Sequence, residues 1–152
     1  MAQYDKYGEL IEERAPTKYK TDRAAWKVIL LNIVTLGLYS LFFFMPLTFE
    51  LDKIAPKPDR AKTMNILSAY VLSLFTFNIV MTVWMYMFTE RVEEALSQRE
   101  IAYDFSTSDF WNLYFFGGFF FLGNFLAYFY YHKLCKAMNL LCADYNEKAG
   151  AK

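Results

Sequence analysis

Three stretches of this chain, Val28 to Phe49, Met64 to Thr89 and Phe110 to Tyr131, carry no charged side chain. Each is longer than the ~18 apolar residues at which a hydrophobic run reads as a bilayer crossing, because ~20 residues rising ~1.5 Å apiece span the ~30 Å hydrocarbon layer. In hydrocarbon every backbone N–H and C=O needs an internal partner, so runs this long without strand alternation are helical. The expectation is an all-α integral membrane protein. Three long transmembrane helices near residues 22–54, 60–100 and 107–146, each protruding at its C-terminal end, would make it a multi-pass protein of the cell (cytoplasmic) membrane. A polar segment over 1–20 precedes a single membrane domain over 21–146, and a flexible tail over 147–152 follows.

Local signals frame these runs. Thr21 or Asp22 offers a helix cap, and Trp26 and Lys27 stand where an amphipathic ring and a snorkelling ammonium anchor a helix at the headgroup level. Pro56 and Pro58 forbid helix continuation between the first two runs, and Asp59 follows as the next cap. Ser106, Thr107, Ser108 and Asp109 match a capping box. The third run passes into His132 and Lys133, a second pair of interface anchors, without a helix breaker. A cleavable signal would place its apolar region near Met1, whereas the first apolar run begins at Val28, so the N-terminus is expected to be retained.

Orientation ought to follow from Lys and Arg in the flanks, which are held on the cytoplasmic side. Here the flanks carry six, four, two and four such residues in chain order, so three full spans divide them evenly whichever way the protein faces. Three spans with a cytoplasmic N-terminus is the simpler expectation. The alternative is a first segment that enters and leaves on one side, bent at Asn32, Thr35, Gly37 or Pro46, followed by a two-span hairpin.

Asn32, Asn78 and Asn124 recur at one constant spacing, each followed by two apolar residues, which gives a weak repeat and three polar positions for fixing helix packing. Gly37, Gly117, Gly118 and Gly123 mark places where another helix could approach closely. The run Thr35-Leu36-Gly37-Leu38-Tyr39-Ser40-Leu41-Phe42-Phe43 resembles the signature of small bacterial membrane proteins in the domain-of-unknown-function family numbered 4234. The likeness extends over Arg23 to Asn146 and departs at Phe43, where that family often has Trp. It implies a membrane location and an architecture, and no activity.

Chemistry has little to stand on. His132 and Cys135 lie three residues apart and could share a soft metal ion, but no second His exists to complete a site, so no metal and no cofactor is expected. Cys135 and Cys142 lie ~10 Å apart along one helix, beyond the ~7 Å Cα separation a disulfide tolerates. The seven methionines read as flexible packing rather than copper ligands. No carboxylate, Lys or Arg lies within an apolar run, which disfavours ion and proton coupling. Phosphate-binding glycine loops, nucleophile elbows and paired carboxylates are missing, so an enzyme is not expected. Equal numbers of basic and acidic residues, 16 each, argue against a nucleic-acid partner. The leading expectation is a non-enzymatic membrane scaffold that contacts the lipid bilayer and self-associates, or binds another membrane protein, through aromatic and Asn-bearing helix faces. A homo-oligomeric pore or small-solute transporter is the second reading and a membrane-shaping protein the third.

Overall fold

The computed structural model describes residues 18–35, 37–55, 66–76, 79–119 and 123–149, and its described elements are all helical. They are α1 (Ala25–Val34), α2 (Tyr39–Ile54), α3 (Ile66–Phe75), α4 (Ile79–Gln98), a third arm made of α5 (Thr107–Asp109), a π-helical stretch (Phe110–Phe115) and α6 (Phe116–Phe119), and finally α7 (Gly123–Lys148). The outer ends fall near those the sequence leads one to expect, but each uncharged run is broken near its middle. Among the described residues no helix is long and apolar enough to cross a membrane. Three transmembrane helices, and with them multi-pass placement in the cell membrane, are therefore corrected. α4 and α7 are long enough, but each devotes only its first half to apolar residues and its second half to charge.

The physical reason is that the arms fold back on themselves. A continuous helix would separate Arg23 from Glu50 by ~40 Å, yet their side chains meet at 2.5 Å. Lys133 and Asp109, ~36 Å apart on a straight helix, are joined at 2.7 Å. α3 likewise packs along α4. The first uncharged run is thus an αα-hairpin turning after Val34, the second turns after Phe75, and the third turns between α6 and α7. Pro46, a candidate bend in the sequence, lies inside α2, which continues through it.

Two of the turns use the same device. The Thr35 hydroxyl donates to the Leu31 carbonyl at 2.7 Å and accepts the Tyr39 N–H at 2.9 Å. The Thr76 hydroxyl donates to the Leu72 carbonyl at 3.0 Å and accepts the Val80 N–H at 3.4 Å. A threonine so placed satisfies the last turn of one helix and the first turn of the next, where orphan backbone groups would otherwise need water. In the first turn Ser40 also donates to the Asn32 amide oxygen at 2.9 Å, and the Gly37 N–H returns to the Asn32 carbonyl at 2.8 Å. Gly37 has φ of 91°, a conformation that costs a side-chain-bearing residue ~1–2 kcal/mol.

α7 is the mast of the assembly: α1, α2, α4, the π-helical stretch and α6 all pack on it, and α3 lies outside, against α2 and α4. The core is aromatic. Trp84 and Phe88 stack at 5.3 Å between centroids, Phe44 meets both edge-on, and buried Tyr130 hydrogen-bonds Thr89 at 2.6 Å. Gly117 allows α6 to lie against α7, since a Cβ there would come within 2.7 Å of the Leu126 Cβ.

α4 ends in a Schellman motif, with the Ile101 N–H bonded to the Leu96 carbonyl at 3.0 Å and the Glu100 N–H to the Ser97 carbonyl at 3.1 Å. The left-handed position belongs to Glu100, with φ of 56°, where glycine is the usual occupant. Two substitutions therefore have opposite expected signs. Gly37→Ala, although no atom lies within 4 Å of the added Cβ, should lower stability by ~1–2 kcal/mol, and Glu100→Gly should raise it by ~1 kcal/mol. Denaturant unfolding in matched detergent, followed by helical circular dichroism, checks both.

Candidate functional site

The hairpins sort the molecule along its long axis. At one end, called the base here, the open ends of the arms are tied together by charge. Arg23 sets its guanidinium against both oxygens of Glu50 at 2.6 and 2.5 Å, and it also reaches the Lys20 carbonyl and, at 3.6 Å, the Cys142 sulfur. This pair is largely buried, with 7% and 11% of the side chains exposed. Arg91 of α4 pairs with Asp52 of α2 at 2.5 Å. Arg99 donates two bonds to the Ile54 carbonyl, at 3.1 and 2.6 Å, and one to Asp144 at 2.5 Å. Burial pushes the Asp144 carboxyl up, but Lys148 and Arg99 outweigh it and hold the group below its ordinary value.

Two asparagines of α7 complete the base. Asn139 accepts the Arg23 N–H at 3.1 Å and donates to the Arg23 carbonyl at 3.0 Å, and Asn146 makes the same pair of bonds to Tyr19, each at 2.8 Å. Seven helical residues advance ~10 Å and four extended residues ~13 Å, so amides two turns apart can clamp the extended chain at every fourth residue.

At the opposite end the hairpin tips form an apolar crown. Phe75 is 80% exposed, Phe42 72%, Val34 71%, Ile33 69%, and Ile79 and Phe125 63% each. Exposed hydrophobes also continue down the arms, Phe49 at 62% and Trp26 at 56% among them, and the apolar surface as a whole far exceeds the scattered single hydrophobes of an ordinary soluble surface. The polar atoms interleaved with it, those of Asn32, Thr35, Ser40 and Thr76, are the ones already bonded within the turns.

The residues singled out from sequence distribute between these ends. Trp26 is exposed, with the Lys27 ammonium 5.6 Å from its ring centre. His132 is exposed and stacks on Tyr128 at 6.2 Å, whereas Cys135 is buried, so the two do not face one space. Among the described residues no cluster of three metal-ligating side chains occurs. Lys133 joins the two arms of the third hairpin through Asp109, which also accepts the Ser106 N–H at 3.1 Å. Burial alone would lower the Lys133 ammonium, but Asp109 and Asp104 raise it on balance. Asn32 and Gly37 build the first turn, and Gly117 packs on Leu126. Asn78 and the side chains of Gly118, Gly123 and Asn124 lie outside the described residues.

Several functional positions escaped sequence reasoning. The ion pairs join the two ends of one uncharged run, as Arg23 with Glu50 and Lys133 with Asp109, or the flanks of different runs, as Arg91 with Asp52, and nothing local marks them. The turn threonines were visible, since Leu31-Asn32-Ile33-Val34-Thr35 and Leu72-Ser73-Leu74-Phe75-Thr76 share their first and last residues. The register that aligns the asparagines hides this one.

An open recess of about 460 Å³ beside the base is lined by Ile54, Ala55, Gln98, Arg99, Glu100 and Lys148. Its partly buried guanidinium is already committed to Ile54 and Asp144, leaving little there to act on a substrate. Cys135 and Cys142 are free and buried, their thiols pushed up by burial to about 11 and about 12. Thiols held protonated are poor nucleophiles.

Residues 23–94 match a family model described as Domain of unknown function (DUF4234). The match covers the first two hairpins and stops short of the third. No curated protein and no solved structure matches the chain.

The closed base has two measurable consequences. Arg23→Met or Glu50→Gln alone should cost ~3–5 kcal/mol by stranding a buried partner, while the double variant Arg23→Met with Glu50→Leu should recover most of that loss. Folded protein at pH 8 should resist maleimide, and both cysteines should react once the chain is unfolded, as read by mass spectrometry.

Proposed function

We propose a function from the geometry, because the family model that residues 23–94 match, Domain of unknown function (DUF4234), carries no activity: a non-enzymatic scaffold that seats its apolar crown in a lipid bilayer and thereby shapes it. The observation that carries this reading is the combination of exposed tips with hydroxyls, those of Thr35, Ser40 and Thr76, that are bonded inside their own turns. A surface destined for solvent would leave its turn groups to be hydrated. Here the Thr35, Ser40 and Thr76 hydroxyls and the Asn32 amide oxygen are bonded within their own hairpins, the arrangement that hydrocarbon demands.

The magnitude is sufficient. Full burial of a large apolar side chain is worth ~1.5–3 kcal/mol, so six tip residues moved into hydrocarbon contribute on the order of 10 kcal/mol. A single myristoyl chain, with a binding constant of about 10⁴ M⁻¹, anchors only marginally by comparison. The same inward bonding leaves the Thr35 and Thr76 hydroxyls with little to offer a wet pore lining, which weighs for lipid seating over a pore.

Flotation tests the reading. Protein diluted from detergent onto neutral phosphatidylcholine vesicles should rise with the lipid in a density gradient. A variant carrying Ile33→Asp, Val34→Asp and Phe75→Asp, all at exposed positions, should keep its helical content and lose flotation. A lipid-free, stable oligomer of the unmodified chain that stays at the bottom of the gradient would overturn the proposal.

A further inference from the structure

Resting on that lipid-seated reading, we infer that the crown enters a single leaflet and stops near the bilayer midplane, with both flanks of every hairpin on the side from which it entered. The partner is thus one monolayer, and the chain is a wedge in it.

Length is the first argument. From the charged base to the turn, α1 has ten residues, and Tyr39 to Phe49, Ile79 to Thr89, Phe110 to Phe119 and Gly123 to Tyr131 are of similar length. At ~1.5 Å per residue each arm reaches ~14–17 Å, half of the ~30 Å hydrocarbon layer. The uncharged runs looked long enough to cross because each contains two such arms placed end to end in sequence and side by side in space.

Connectivity is the second. Arg23 touches Glu50, Lys133 touches Asp109, and Arg91 and Arg99 of α4 reach Asp52 and Ile54 at the end of α2. The open ends of each hairpin are therefore tied on one side of the molecule, with the Lys133–Asp109 tie six residues, ~9 Å, nearer the tips along α7 than the Arg23 clamp on Asn139. Crossing the bilayer with any one arm would require pulling one of these pairs apart across hydrocarbon, where an unpaired charge is costly. The even division of Lys and Arg between two sides then disappears, because the described ones, from Lys18 to Lys148, fall on one side.

The third is the placement of tryptophan. Trp26 and Trp111 are 56% and 41% exposed, on the first arms of the first and third hairpins. Nine residues separate Trp26 from Thr35 and eight separate Trp111 from Phe119, so both rings sit ~12–14 Å below their tips. That is the depth at which indole rings occupy the boundary between acyl chains and headgroups. Trp84, by contrast, is buried in the aromatic core.

Sidedness decides the matter. Single cysteines at Lys20, Gln98 and Glu147, all exposed at the base, are introduced one at a time into the full chain, and each protein is added to preformed sealed vesicles and floated. An impermeant maleimide added outside should label all three sites to the same extent as it does after detergent lysis, with the two buried native thiols as the slow background. A split, in which any one site reacts only after lysis, would overturn the single-leaflet inference while leaving lipid seating intact. Failure to float would overturn both.

Discussion

The contact of Arg23 Nη2 with both carboxylate oxygens of Glu50 is the tie on which the remaining architecture hangs. It fixes the first hairpin as a hairpin, because no extended arrangement of α1 and α2 can bring those side chains together. The same guanidinium caps the Lys20 carbonyl and touches Cys142 of α7, and the Arg23 backbone is held by Asn139. One residue thus joins the entering chain, the returning helix and the mast. Buried ion pairs add little net stability against an apolar replacement, and their value lies in excluding other pairings. Among long apolar helices that could slide or straighten, such exclusion is what specifies one fold.

The opposite end obeys a different constraint. The crown is held together by hydrogen bonds only a few residues long, made by Thr35, Thr76, Ser40 and Asn32 within their own turns. Charge would be prohibitive there and unbonded backbone nearly as costly. The sequence therefore partitions its polar chemistry by range, with long-range ionic contacts at the base and local hydroxyl contacts at the tips. The aromatic layer of Phe44, Trp84, Phe88 and Tyr130 fills the space between.

This partition explains what could be read from sequence. Helical character, the outer ends of the runs and the family resemblance around Thr35 to Phe43 were legible, because each depends on composition or on residues close in the chain. The hairpins were not. A run of 22 uncharged residues has the same composition whether it crosses or turns back, and its hydrophobicity outweighs a single Gly or Thr in the middle. The deciding information, that Arg23 pairs with Glu50 and Lys133 with Asp109, lies in contacts between residues more than 20 apart. Gly37 was singled out for close approach, whereas its structural role is its backbone angle, with open space around it.

The asparagine clamps impose an order on how the molecule is made. Tyr19 and Arg23 precede the residues that clamp their backbone, Asn146 and Asn139, by 127 and 116 residues, so they are made well before α7. Contacts of such sequence separation form late, after the loop they close has been paid for in entropy. Until α7 is complete, residues 18–24 have no surface to lie on and Arg23 lacks half of its neighbours. Residues 18–24 are therefore placed only once α7 exists to hold them, although they are made before it.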